Sequence, residues 1–147
     1  MNATTELLYE QDFYAWTLKN AGLLRERRLG EVDLEHLAEE LESMGRSEKR
    51  ELIHRLAVLL AHLLKWQVQA NRRGRSWQLT LKEQRRQAGR VLRDNPSLKP
   101  LLAEIVADAH EDAILRAAQE TGLEESAFPA VCPFTLEQIF DESFLPD

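Results

Sequence analysis

LEHLAEELESMGRSEKRELIHRLAVLLAHLLKW, residues 34–66, is the stretch whose reading decides the fold. From Leu34 the apolar positions advance through Ala38, Leu41, Gly45, Leu52, Leu56, Leu59, Leu63 and Trp66 at close to 3.6 residues per step, the repeat of one helix face. The phase survives Gly45. Glu42 and Arg46, like Glu51 and Arg55, are i,i+4 pairs with the acid first, the favourable orientation, and the first pair forms only if the helix runs on past the glycine. The stretch therefore predicts one long helix, with a kink allowed at Gly45. Its second half is apolar almost all round, which marks a central element with neighbours on several sides.

Upstream, the spacing predicts a first helix over about residues 5–28, with Phe13, Trp16, Leu23 and Leu24 buried and Gly30 as its stop. Asp33 is placed to cap the long helix, Glu35 sits in its positive first turn, and Val32 and Leu37 have hydrophobic-staple spacing. Downstream, Ser76 is placed to cap a helix running to about residue 94, with Trp77, Leu81, Ala88, Val91 and Leu92 inward. Ser97 is placed to cap the next, which turns Leu98, Leu101, Leu102, Ile105, Ala109, Ala113 and Ala117 inward and stops at Gly122. Thr135 and Gln138 form a capping box for a short last helix holding Leu136, Ile139 and Phe140. No segment shows strand alternation. The expected fold is all-α: a single-domain helical bundle of about five or six helices across residues 1–147, built round a long central helix.

Composition agrees with a folded protein. Hydrophobic residues make up 44% and charged residues 30%, and five prolines and six glycines leave little room for disorder. The opening MNATTELLYEQDFY has neither a basic nor an apolar signal region, and the longest apolar run, residues 57–64, is far too short to span a bilayer. With Cys132 alone there is no internal disulfide and no cysteine cluster, so a reducing cytoplasm is the expected compartment.

The net charge of −6 is unevenly spread. Residues 62–93 hold nine Lys or Arg against Glu83 alone, a block that suits either an anionic partner or an acidic surface of the same chain. Lys82, Arg86, Arg90 and Arg93 fall on one helix face, and Glu104, Asp108, Glu111 and Asp112 on one face of the following helix. Antiparallel packing about a short turn near Pro96 and Ser97 predicts that Arg90 meets Glu104, Arg86 meets Asp108 and Lys82 meets Glu111 or Asp112. Such pairs set register more than they stabilise. Arg72, Arg73 and Arg75 stand apart, in a loop before a helix start where free N–H groups also favour an anion, and they are the anion-binding candidates. A solvated loop is the competing reading.

Other chemistry is sparse. Arg55 and His62, seven residues apart on one face, resemble the active-site pair of the HEPN superfamily of all-α ribonucleases, which implies RNA cleavage at a dimer interface. Here Leu56 follows the arginine where that motif has a polar residue, and leucines surround His62, as they would a core histidine. Glu51 and His54 make one Glu-x-x-His without the second that a di-metal bundle needs, so neither a metal nor a cofactor is expected. Cys132, in AVCPF, reads as a small packed residue. Phosphate loops and nucleophile elbows are lacking.

The segments YEQDFYAWTLKNAGLLR, LAEELESMGRSEKREL, HLLKWQ, SWQLTLKEQRR and CPFTLEQIFDESFLP, in this order, resemble domain-of-unknown-function family 29 from about Leu8 to Pro146. The resemblance implies a small, soluble, all-helical bacterial protein and carries no activity or site residues. The expected function is a cytosolic helical interaction or scaffold module without catalysis, bound to another protein or to itself through a helical face. The alternative is an RNA-binding or RNA-cleaving module using Arg72, Arg73 and Arg75 with Arg55 and His62.

Overall fold

The computed structural model describes residues 3–147, and the side chains of Ala3, Thr4 and Glu6 are left aside. Six α-helices and no strand occur among the described residues: α1 (Ala3–Gln11), α2 (Phe13–Arg25), α3 (Leu34–Val68), α4 (Arg75–Asp94), α5 (Leu102–Thr121) and α6 (Leu136–Phe140). Short 3-10 turns join several of them. The chain divides into two compact units, the first ending at Arg46 and the second beginning at Ser47. Helix α3 starts in one and ends in the other, and it passes through Gly45 unbroken, as its apolar phase requires.

In the first unit the single expected helix is two. Asp12 interrupts it by accepting the Ala15 N–H at 3.0 Å, which caps a new helix start. The stop also differs from expectation. Helix α2 ends at Arg25, where Arg28 N–H reaches the Leu23 carbonyl and Arg27 N–H the Leu24 carbonyl, with Arg27 in the left-handed region at φ 62°. This is a Schellman ending with arginine where glycine is usual; Gly30 lies beyond it, in a 3-10 turn. Trp16 and Leu23 are buried as expected and Val32 is buried too, whereas Phe13, Leu24 and Leu41 stand exposed at 48%, 39% and 58%.

The second unit holds the main core. Leu52, Leu56, Leu59, Leu60, Leu63 and Leu64 of α3 are wholly buried, and each such leucine contributes about 1.5–3 kcal/mol relative to exposure. Leu81, Ala88, Val91 and Leu92 of α4, and Ile105, Ala109, Ala113 and Ala117 of α5, close on them, with Phe128, Phe134 and Ile139 from the C-terminal segment. Two caps differ from expectation: Gly74 precedes α4, which begins one residue before Ser76, and Ser97 lies inside the 3-10 segment Pro96–Leu101, which also leaves Leu101 exposed. Two others form as read. Gly122 ends α5 at φ 76°, and Thr135 with Gln138 builds the reciprocal capping box of α6.

Candidate functional site

The three arginines expected in one loop part company: Arg72 and Arg73 lie between α3 and α4, whereas Arg75 is the first residue of α4. Arg73 donates from Nε to the Trp66 carbonyl at 2.6 Å and lies 5.4 Å from the Trp66 ring centre, so it caps the end of α3 and stacks on its last tryptophan. Arg72 and Arg75 are exposed and have no ion pair among the described residues. Arg55 is held by Glu51 at 3.4 Å. His62 is half-buried, bonds Nδ1 to the Val58 carbonyl at 2.9 Å and meets Trp77 edge to face; burial pulls its pKa down. Beside it the buried Lys65 pairs with Glu120 and lies over the Trp77 ring at 4.9 Å.

The ladder expected between α4 and α5 does not form. Lys82, Arg86, Arg90 and Arg93 are all exposed, and no ion pair among the described residues joins them to Glu104, Asp108, Glu111 or Asp112. Glu104 is taken instead by Lys49 of α3 at 2.7 Å. The reason is the connection. A tight reversal would set the two stripes face to face, but Pro96–Leu101 winds through a six-residue 3-10 segment before α5 begins, which spoils register by reflection. The cationic face of α4 is therefore turned to solvent.

The first unit carries the densest polar arrangement. Asp33, fully buried, accepts from Trp16 Nε1 at 3.0 Å and meets His36 Nδ1 at 2.7 Å, while its own N–H donates to Asn20 Oδ1 at 2.9 Å. Burial opposes its charge, but the His36 and Trp16 donors and the His36 N–H outweigh that, so the carboxyl sits below the usual range. The same bond raises His36, whose ring stacks on Tyr9 at 3.8 Å. Tyr9 in turn donates to Glu40, and that bond above all pushes its pKa up to about 12.

Alongside runs an open groove of about 340 Å³ between α2 and the first turns of α3. Phe13, Trp16, Ala21, Leu24, Leu41 and Met44 give it an almost wholly apolar lining, and Glu40 is its one acidic neighbour.

Residues 8–145 match the family model described as "Domain of unknown function DUF29". The chain belongs to the DUF29 family. No curated protein and no solved structure matches it. The DUF29 match embraces both units, so groove and cationic face alike lie within the family's domain.

Two features of this DUF29 chain escaped the reading of its sequence. The buried Asp33 and the part-buried His36 form a polar pair where the sequence reading has Asp33 alone, as a cap; Asp-x-x-His at a helix start is the available sign. Arg85 was counted with the basic block, yet it is buried and donates to the carbonyls of Ile139 at 2.9 Å, Phe144 at 3.0 Å and Gln138 at 3.3 Å. Its spacing with Leu81, Ala88 and Leu92 placed it on the inward face. Cys132 is half-buried against the Phe134 carbonyl, and burial raises its thiol pKa. Among the described residues no three His, Cys, Asp or Glu side chains gather where they could hold a metal ion, and no helix is long and apolar enough to cross a membrane.

Proposed function

We propose that this DUF29 chain is a helical interaction module whose groove between α2 and α3 receives an amphipathic helix from a partner protein. The observation that carries this reading is the apolar groove itself, with Met44 at 64%, Leu41 at 58% and Phe13 at 48% exposure around the buried Trp16. A ridge of apolar residues at i, i+3 or i+4 and i+7 on a partner helix fits such a channel. Charge selects the partner further. Residues 3–46 hold ten acidic against five basic side chains, and Glu40 stands in the wall of the groove, so the ridge is flanked by lysine or arginine.

Binding of two labelled model helices tests this, one with an apolar ridge between lysines and one with the same ridge between glutamates. The first binds, the second does not, and Leu41→Glu or Met44→Glu weakens binding at least tenfold with the helical circular dichroism unchanged. Failure of the lysine-flanked helix to bind, equal binding of the two helices, or equal binding by the variants overturns the reading.

A further inference from the structure

The exposed face of α4 points to a second surface, distinct from the groove. Arg75, Lys82, Arg86, Arg90 and Arg93 recur at helical spacing, so all five lie along one face. At 1.5 Å per residue the row is about 27 Å long. All five are exposed, and none makes an ion pair among the described residues. The acids nearest in sequence sit to one side: Glu83 accepts from Gln87 at 2.8 Å and Asp94 stands exposed at the helix end. A row of unpartnered like charges repels itself, and that repulsion is relieved when an anion lies along it.

We infer that this face binds duplex DNA along its phosphate backbone, without reading sequence. An acidic protein partner fits less well, because protein interfaces bury an apolar centre and Leu79 is the only large apolar side chain exposed on α4. Protein–DNA surfaces are more polar and far more positive. Four of the five cations are arginines, whose planar fork grips phosphate oxygens in pairs. Single strands are bound where bases can stack on aromatic rings. The one aromatic residue of α4, Trp77, is half-buried against His62 and Lys65, so the row offers unpaired bases no such platform. Duplex RNA is held across its minor groove through 2′-hydroxyls as well as phosphates, whereas α4 presents a single file of cations. The remaining acidic charge of the chain keeps this attachment local, weak and sensitive to salt.

The test is fluorescence anisotropy of the full chain with a labelled duplex DNA of arbitrary sequence, the matching single strand, a duplex RNA, and polyglutamate as competitor. The duplex DNA binds best, and its affinity falls by roughly two to three orders of magnitude from 50 to 200 mM salt, as four or five phosphate contacts require. Arg86→Glu with Arg90→Glu costs at least tenfold, while Lys19→Glu with Arg25→Glu, the same charge change on α2, costs less than twofold. Absence of binding at 50 mM salt, indifference to the α4 reversals, preference for the single strand or the RNA, or competition by polyglutamate equal to that by unlabelled DNA each overturns the inference.

Discussion

The guanidinium of Arg85 donates to the Ile139 carbonyl at 2.9 Å across 54 positions of sequence, fastening the end of α6 to the middle of α4. Three further carbonyls, of Gln138, Glu142 and Phe144, share the same side chain, which thus supplies donors that the short α6 has no turn of its own to provide. Arg85→Met keeps the apolar stem but takes the donor from the buried Ile139 carbonyl and from that of Phe144, while the Gln138 carbonyl still accepts the Asp141 N–H. We expect a loss of roughly 2–4 kcal/mol in urea unfolding, with earlier proteolytic cleavage after Phe134. Arg85→Lys recovers only part, because one ammonium cannot reach the same set.

Asp33 and His36 give the first unit a stability window in pH. His36 is raised above its ordinary 6.5 in the folded chain, so its contribution is full below about that pH and fades as pH climbs through the raised value. Asp33 is lowered from 3.8, so its contribution is present above that value and fades as pH falls through the depressed one. Stability from the pair therefore peaks between about pH 4 and 6.5. His36→Gln removes the decline on the alkaline side, which thermal unfolding across pH 5 to 9 reads directly.

Arg27 and Gly122 both end helices in the left-handed region, at φ 62° and 76°. An L side chain there costs about 1–2 kcal/mol. Arg27→Gly should accordingly raise stability by about 1 kcal/mol and Gly122→Ala should lower it by a similar amount, two changes of opposite sign at the same kind of turn. Denaturant midpoints with unchanged slopes check the pair.

Cys132 should react slowly. With its thiol pKa raised by burial, little thiolate is present near neutral pH, and a disulfide reagent should label the folded chain at least tenfold more slowly than the chain in urea. Equal rates would show that the thiol is open to solvent.

Periodicity and local capping chemistry made most of the fold legible. The unbroken course of α3 through Gly45, the Thr135 and Gln138 box, the stop at Gly122 and the leucine ladder from Leu52 to Leu64 all follow from residues within a few positions of each other. The break between α1 and α2 was equally local, since Asp12 is a good cap, but the apolar phase running across it concealed the sign. Features that depend on distant neighbours were not legible. Helical spacing says that Phe13, Leu24 and Leu41 share inward positions, yet it cannot say whether anything covers them, and the structure leaves them as the walls of a groove.

Charge behaves in the same way. The sequence by itself determined that the cations of α4 form a face and that α5 carries an acidic one, because both are consequences of 3.6 residues per turn. Only the tertiary structure decided what each face meets: across the six-residue 3-10 segment between the helices Glu104 goes to Lys49 and Arg86 and Arg90 to solvent, while carbonyls of the C-terminal segment close on Arg85. A salt bridge or a carbonyl bond requires atoms within a few ångströms, and that distance is set by the path of the connection, which no count of charges along a chain contains.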